Sequence, residues 1–150
     1  MASRLFHRIV VPTDFSGCSE EAWALARRIA GALGSEIVLV HVFVEPPSYG
    51  EASVPVDSAW QVIESARKWV EEELEKWAGA ARSKGLSVRT LVRTGSPYQE
   101  IANLATDERA DLVAMGTHGR SGMSRLLLGS VADRVIRLAP CPVLTVRKPE

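Results

Sequence analysis

Short apolar runs alternate with longer amphipathic segments along the whole chain. Five of the runs predict β-strands, at residues 9–11, 37–42, 88–92, 112–115 and 143–146. Most of them are continuous rather than alternating, which is typical of strands that are buried on both faces of a parallel sheet. The run at 88–92 contains more polar residues than the others, so we predict that this strand lies nearer an edge of the sheet.

Amphipathic segments predict four helices between these strands. In the first helix, Ser16 or Ser19 provides the cap, and the helix continues to about Leu33, where Gly34 stops it. The second helix is long and covers about residues 57–84, because its apolar positions recur on one side.

The third and fourth helices have recognisable starts. Ser96-Pro97-Tyr98-Gln99 has the form of a capping box with proline at the first helical position. The last helix is predicted to begin near Ser130 and to end before Pro140. Three prolines and a glycine between residues 45 and 56 prevent a helix there, so this segment is predicted to be an exposed loop.

The order of elements is β-α-β-α-β-α-β-α-β, which predicts an α/β fold. Alternation of this kind gives a doubly wound parallel sheet of five strands, with right-handed crossovers and four helices on both faces. Neither a shift in composition nor an internal repeat divides the chain, so residues 1–150 are predicted to form a single domain. Ligands of such sheets bind at the carboxyl ends of the strands, where the winding reverses.

Composition and charge exclude several classes of partner. The chain has 150 residues, of which 46% are hydrophobic and 24% are charged, as in ordinary soluble proteins. Because 18 Lys and Arg balance 18 Asp and Glu, we expect neither nucleic acid nor a membrane as a partner. The chain contains no apolar stretch near the ~18 residues of a membrane span and no apolar leader before the first strand, so we expect a cytoplasmic protein.

Well-known catalytic motifs are absent from the sequence. No two glycines are separated by one residue, which excludes GxGxxG, and no lysine follows a glycine, which excludes the P-loop. There is also no GxSxG and no HExxH. Cys18 and Cys141 form no CxxC pair, and the histidines show no metal-ligand spacing. These absences disfavour NAD dehydrogenases, P-loop ATPases, serine hydrolases and zinc enzymes.

A glycine-rich loop follows the fourth predicted strand. Gly116, Gly119 and Gly122 would let the backbone turn sharply and approach a ligand, because no Cβ stands in the way. Arg120 and Arg125, in the same loop, can supply charge-assisted contacts to phosphate. The alternative interpretation is an ordinary glycine-rich turn.

Two further positions add to this pattern. Gly129-Ser130 opens the last helix, whose free amides and dipole favour a phosphate, although Ser130 would equally serve as a simple cap. Asp14, after the first strand, can accept hydrogen bonds from ribose hydroxyls or can form an Asx-turn. His41, within an apolar run, is predicted to be a core histidine with a backbone partner.

At these residues the chain resembles the universal stress protein family. The nucleotide-binding signature of that family is Gly-x-x-Gly, nine residues, then Gly-Ser or Gly-Thr. Here it corresponds to Gly116 and Gly119, residues 120–128, and then Gly129 with Ser130. The resemblance extends in order along the whole chain, and it implies strand order 3-2-1-4-5, the ATP-binding branch of the family, and a homodimer that pairs through the last strands.

The resemblance also assigns a nucleotide-binding role to particular residues. Asp14 would face the ribose, the Val42 backbone would recognise the adenine edge, and Pro12 and Met115 would wall the base. The full implied set is Pro12, Thr13, Asp14, Val42, Met115, Gly116, His118, Gly119, Arg120, Gly129, Ser130 and Val131.

The function implied is that of an ATP-binding, dimeric regulator or sensor in the stress response, with unknown protein partners. A Mg²⁺ or Mn²⁺ ion would bridge the phosphates and be held largely by the nucleotide. The alternative is a slow ATP hydrolase or phosphotransferase, for which only His118 or Ser124 is placed to position the attacking group. A binding module for another ligand is a third possibility.

Overall fold

The computed structural model describes residues 5–44, 56–119 and 127–149. Five strands pair in parallel in one sheet; they are β1 (Arg8–Pro12), β2 (Glu36–Phe43), β3 (Ser87–Thr94), β4 (Leu112–Gly116) and β5 (Val143–Val146). Their order across the sheet is 3-2-1-4-5, as expected. The prediction that the third strand lies at an edge is therefore confirmed, and the other edge is β5.

Four helices connect the strands; they are α1 (Gly17–Leu33), α2 (Val56–Arg82), α3 (Pro97–Asp107) and α4 (Ser130–Leu138). Of the two candidate caps for α1, Ser16 is the correct one, because its side chain accepts a hydrogen bond from the amide of Ser19. Gly34 ends the helix in the left-handed conformation, with φ 70°.

Three details differ from the sequence-based expectations. The helix α2 ends at Arg82, two residues early, because the chain already turns before Gly85, which has φ 86°. Ser96 is the N-cap of α3, but its side chain makes no capping hydrogen bond, so the predicted capping box is not formed. Of the predicted loop, residues 45–55 lie outside the described part of the chain, and Val56 already belongs to α2.

Two apolar layers enclose the sheet. Alternate residues of the central strands face opposite sides, so that Ile9 packs with α1 and α2 while Val10 packs with α3 and α4. Trp23 and Leu74 belong to the first layer, and Leu104 belongs to the second. Helices thus cover both faces, as predicted. Within the described ranges, none of the helices is long and apolar enough to cross a membrane.

An ionic network fixes the amino ends of the strands. Glu36 accepts from Arg8 Nε at 2.9 Å and from Arg89 Nε at 2.6 Å. Arg89 also bonds Glu108 through Nη2, and the Arg8 Nη1 atom donates to the Glu108 carbonyl oxygen at 2.7 Å. Hydrogen bonds from Arg89 and Arg8 lower the pKa of Glu36 below its ordinary value, although burial opposes them.

Candidate functional site

A cavity of about 480 Å³ opens at the carboxyl ends of β1, β2 and β4. The neighbours β2 and β4 flank β1, so the cavity lies where the winding of the sheet reverses. The start of α3 and the start of α4 complete its walls. This is the end of the sheet at which ligands of such folds bind.

The cavity brings together eleven of the twelve predicted site residues. They are Pro12, Thr13, Asp14, Val42, Met115, Gly116, His118, Gly119, Gly129, Ser130 and Val131. The twelfth, Arg120, lies outside the described residues, as do Gly122, Ser124 and Arg125. Sequence reasoning missed seven other lining residues, which are Ser19, His41, Val44, Pro97, Ile101, Thr117 and Ala132.

Hydroxyl groups organise the end of β1. Thr13 is buried; its Oγ1 accepts from the amide of Phe15 at 2.9 Å and donates to Ser19 Oγ at 3.0 Å. The Ser19 hydroxyl in turn donates to the carbonyl oxygen of Ser16 at 2.8 Å. Ser19 faces the cavity because it lies in the first turn of α1, immediately after the strand end. That position is the signal by which it could have been found.

Asp14 links two loops at the cavity. Its Oδ1 atom accepts from the amide of Ser16 at 3.0 Å, which is the Asx-turn considered from the sequence. Its Oδ2 atom faces Gly119, where a Cβ would lie 2.6 Å from that oxygen. The carboxylate therefore serves the turn and lines the cavity at the same time, so the two interpretations of Asp14 do not exclude one another.

His41 has the backbone partner that its sequence context predicts. Its Nδ1 atom lies 2.8 Å from the carbonyl oxygen of Thr13, and its ring stacks on Phe15 with a centroid distance of 5.2 Å. The predicted core position is wrong, however, because the ring is half-buried and contributes to the cavity wall.

The glycines of the signature have a structural reason that differs from the sequence interpretation. None of Gly116, Gly119 and Gly129 has a left-handed φ, so conformational freedom does not explain them. A Cβ on Gly116 would lie 2.8 Å from backbone and side-chain carbons of Cys18, at the start of α1. A Cβ on Gly129 would lie 2.6 Å from the carbonyl oxygen of Thr117. These glycines are required first by close packing of the protein against itself.

The amino end of α4 points into the cavity. Gly129, in an extended conformation, is the N-cap, so the interpretation of Ser130 as a simple cap is wrong. The Gly129 amide donates to the Thr117 carbonyl oxygen at 2.8 Å. In an α-helix the first-turn amides have no acceptor within the helix, and here they belong to Ser130, Val131 and Ala132. Together with the positive end of the helix dipole they suit an anion.

His118 contributes a polar ring to the same wall. Its Nδ1 atom lies 2.9 Å from Thr117 Oγ1, which fixes the ring orientation. In the part of the chain that the structure describes, no group of three or more His, Cys, Asp or Glu residues could hold a metal ion. The cavity therefore combines an apolar wall, which includes Val42 and Met115, with one carboxylate and a helix amino terminus. It suits a ligand that has an apolar part and an anionic part.

Comparison with known proteins agrees with this geometry. Residues 5–147 match the universal stress protein family. Universal stress protein MJ0531 of Methanocaldococcus jannaschii is 40% identical over 147 residues, covering 97% of this chain and 85% of the relative. The solved structure of hypothetical protein MJ0577, from the same organism, has a TM-score of 0.85 at 27% identity, covering 97% of this chain and 99% of that chain.

A second solved structure carries a ligand. It is a universal stress protein in complex with cAMP, with a TM-score of 0.67 at 25% identity, and it covers 96% of this chain and 98% of that chain. The similarity to universal stress proteins therefore extends from the glycine signature to the whole fold. The chain belongs to the universal stress protein family.

Proposed function

We propose that the protein binds ATP in the cavity at the carboxyl ends of β1, β2 and β4, and that it acts as a cytoplasmic, nucleotide-dependent regulator. The observation that carries this proposal is the convergence of eleven predicted residues on one cavity with the first turn of α4. Its volume of about 480 Å³ lies in the range of small-molecule sites. The cAMP complex of a relative, an adenine nucleotide complex, supports the ligand class.

In the proposed pose each part of the nucleotide meets a matching wall. Pro12 and Met115 enclose the base, and the backbone of Val42 recognises its edge. Asp14 accepts from the ribose hydroxyls. The phosphates lie at the amides of Ser130 and Val131, which have no acceptor within the helix.

The remaining predicted contacts have narrower roles in this pose. His118 and Gly119 line the ribose and phosphates. Gly129 contributes because it has no Cβ, and not through its amide, which is bonded to Thr117. A Mg²⁺ or Mn²⁺ ion is held mainly by the phosphate oxygens, because carboxylates are scarce in the described wall, where Asp14 is the one carboxylate.

The position of the site in the fold supports a regulatory role. The edge strand β5 is half-exposed along its length and is the strand through which we propose that the homodimer forms. The amide of Thr117 in the cavity wall donates to the carbonyl oxygen of Val146 in β5 at 3.0 Å. In this proposal a bound nucleotide influences the dimer edge through this contact between the cavity wall and β5.

Equilibrium titration tests the proposal. We expect saturable binding of ATP, with weaker binding of AMP and of GTP, measured by calorimetry on nucleotide-free protein. The variant Ser130→Asp places a carboxylate in the first turn of α4, where it suits the helix dipole but repels phosphate. It should remain folded and lose ATP binding.

The matched control makes the same change in another helix. Ser58→Asp adds an acid to the exposed first turn of α2, at a residue that does not line the cavity, and should leave ATP binding unchanged. Absence of saturable adenine-nucleotide binding by the unmodified protein would refute the proposed function.

A further inference from the structure

Phe15 has an unusual backbone conformation. Its φ is 62°, and among the described non-glycine residues only Arg109, in the turn before β4, shares a positive φ. Bulky residues rarely adopt this left-handed region because Cβ approaches the backbone. Strain of this kind persists only where the surrounding structure holds it in place.

Aromatic packing supplies that support. The Phe15 ring stacks on His41 at a centroid distance of 5.2 Å and an interplanar angle of 24°. It also meets Trp69 and Trp77 edge-on, at centroid distances of 5.3 Å and 5.5 Å. These rings belong to β2 and α2, so two elements outside the loop anchor the side chain. The Phe15 amide is fixed as well, through its bond to Thr13 Oγ1.

The anchored residue stands next to the carboxylate that lines the cavity. Phe15 lies between Asp14 and Ser16, and the Ser16 amide bonds Asp14 Oδ1 across it. The turn sends the ring into the layer beneath α1 and α2, while Asp14 Oδ2 faces Gly119 at the cavity. Backbone conformation at residue 15 thus determines where the carboxylate points.

We propose that Phe15 is a positioning residue for ribose recognition. Its ring, held by His41, Trp69 and Trp77, keeps the left-handed turn in place and so holds the Asp14 carboxylate toward the ribose hydroxyls. The inference rests on the proposed function, because it assumes a nucleotide in the cavity. It adds that selectivity for the ribose hydroxyls depends on an aromatic side chain that does not itself touch the ligand.

The test compares ATP with 2′,3′-dideoxy-ATP, which lacks the ribose hydroxyls. A hydrogen bond to a carboxylate corresponds to about tenfold or more in affinity, so the unmodified protein should prefer ATP by that factor. Phe15→Ala should bind dideoxy-ATP as the unmodified protein does and lose most of its preference for ATP. Asp14→Ala should show the same pattern, and adding Phe15→Ala to it should reduce the preference no further.

Two variants separate positioning from general destabilisation. Leu86→Ala removes a side chain that packs against the same apolar layer near the other end of the sheet, and it should leave the preference unchanged. Glycine tolerates a positive φ without strain, so Phe15→Gly provides the test if Phe15→Ala fails to fold. Phe15→Gly should reduce the preference for ATP over dideoxy-ATP, because no ring holds the turn.

The possible results distinguish the positioning role of Phe15 from nucleotide binding itself. Loss of affinity for both ligands by the same factor in Phe15→Ala, with the preference retained, would overturn the positioning role. An unmodified protein that binds ATP and dideoxy-ATP equally would overturn it too, while leaving the proposed function intact. Failure of the unmodified protein to bind ATP would remove the proposed function and this inference together.

Discussion

The amide nitrogen of Gly129 donates a hydrogen bond of 2.8 Å to the carbonyl oxygen of Thr117. This contact joins the two halves of the glycine signature, the loop after β4 and the start of α4. Because the Gly129 amide is used in this way, the amides left for an anion are those of Ser130, Val131 and Ala132. The shape of the proposed anion site therefore depends on a backbone contact that only glycine permits.

Replacing Gly129 should damage the site through this contact. In Gly129→Ala the new Cβ would lie 2.6 Å from the Thr117 oxygen, so the loop and the start of α4 must separate. We expect about tenfold or weaker ATP binding and a free energy of unfolding lower by about 1–3 kcal/mol, the usual cost of overpacking. Calorimetric titration and denaturant unfolding measure the two effects.

Gly79→Ala is the matched control for that variant. Gly79 lies within α2, and a Cβ there meets nothing within 4 Å. The substitution should raise the free energy of unfolding by about 0.5–1 kcal/mol, since alanine favours a helix, and should leave ATP affinity unchanged. Unaltered ATP affinity in Gly129→Ala would contradict the role given to the contact with Thr117.

If the protein dimerises through β5, a proline on the outer edge of that strand should prevent dimerisation and leave the pairing with β4 intact. The carbonyl oxygens of Pro142 and Val146 accept from Val113 and Thr117, so by alternation the backbone of Thr145 points away from β4. Thr145→Pro should keep the bonds between β4 and β5 while removing a donor from the outer edge. Analytical ultracentrifugation should show a dimer for the unmodified protein and a monomer for this variant. A dimer that survives in Thr145→Pro would place the interface elsewhere.

The ionic network predicts a pH dependence of stability. Arg89 is the largest cause of the lowered pKa of Glu36, and Arg8 adds to it. Because the folded pKa is below the ordinary glutamate value of 4.5, the stabilisation is complete above that pH. It is lost as the pH falls through the folded pKa. Arg89→Met should therefore lower the free energy of unfolding more at about pH 7 than at about pH 3.

A surface ion pair supplies the comparison for that measurement. Lys68 and Glu72 are both well exposed and lie 4.0 Å apart, so this pair should contribute little. Lys68→Met is expected to change the free energy of unfolding only slightly, at either pH. An Arg89→Met effect that is equal at both pH values would show that charge on Glu36 is not the origin of the stabilisation.

If the protein binds ATP without hydrolysing it, the unmodified protein should release phosphate no faster than the Gly129→Ala variant, which is expected to bind ATP weakly. We expect this result with Mg²⁺ and with Mn²⁺, measured by continuous phosphate detection. Of the two residues that the sequence suggests for positioning water, His118 lies in the described part of the chain, and its Nδ1 lies against the Thr117 hydroxyl. Saturable release that disappears in His118→Ala would instead support the hydrolase alternative.

The fold could be predicted from sequence because its signals are local and repeated. Continuous apolar runs indicated strands that are buried on two faces, and Gly34 marked the end of α1 as predicted. The strand order and the grouping of the site residues could be predicted only from the family resemblance, because the sequence alone does not show which distant segments lie side by side in the fold.

Contacts between distant residues could not be predicted from such local sequence signals. The need for glycine at 116 comes from Cys18, nearly a hundred positions earlier, which packs where a Cβ would stand. The left-handed turn at Phe15 is stabilised by rings on β2 and α2, and a phenylalanine does not signal a positive φ. Local capping rules also failed at two positions. The Ser96 side chain makes no capping hydrogen bond, and the cap of α4 is Gly129, whose amide bonds Thr117, rather than Ser130.

Amide chemical shifts during an ATP titration test the central claim most directly. If the amides around the cavity bind the nucleotide, the largest shift changes in a nitrogen–proton correlation spectrum will fall within residues 116–119 and 130–132. The open groove between α1 and α2, which includes Trp23 and Trp77, should remain unchanged. Saturating ATP that leaves the cavity amides unmoved, or that shifts mainly the amides of the groove, would contradict the account.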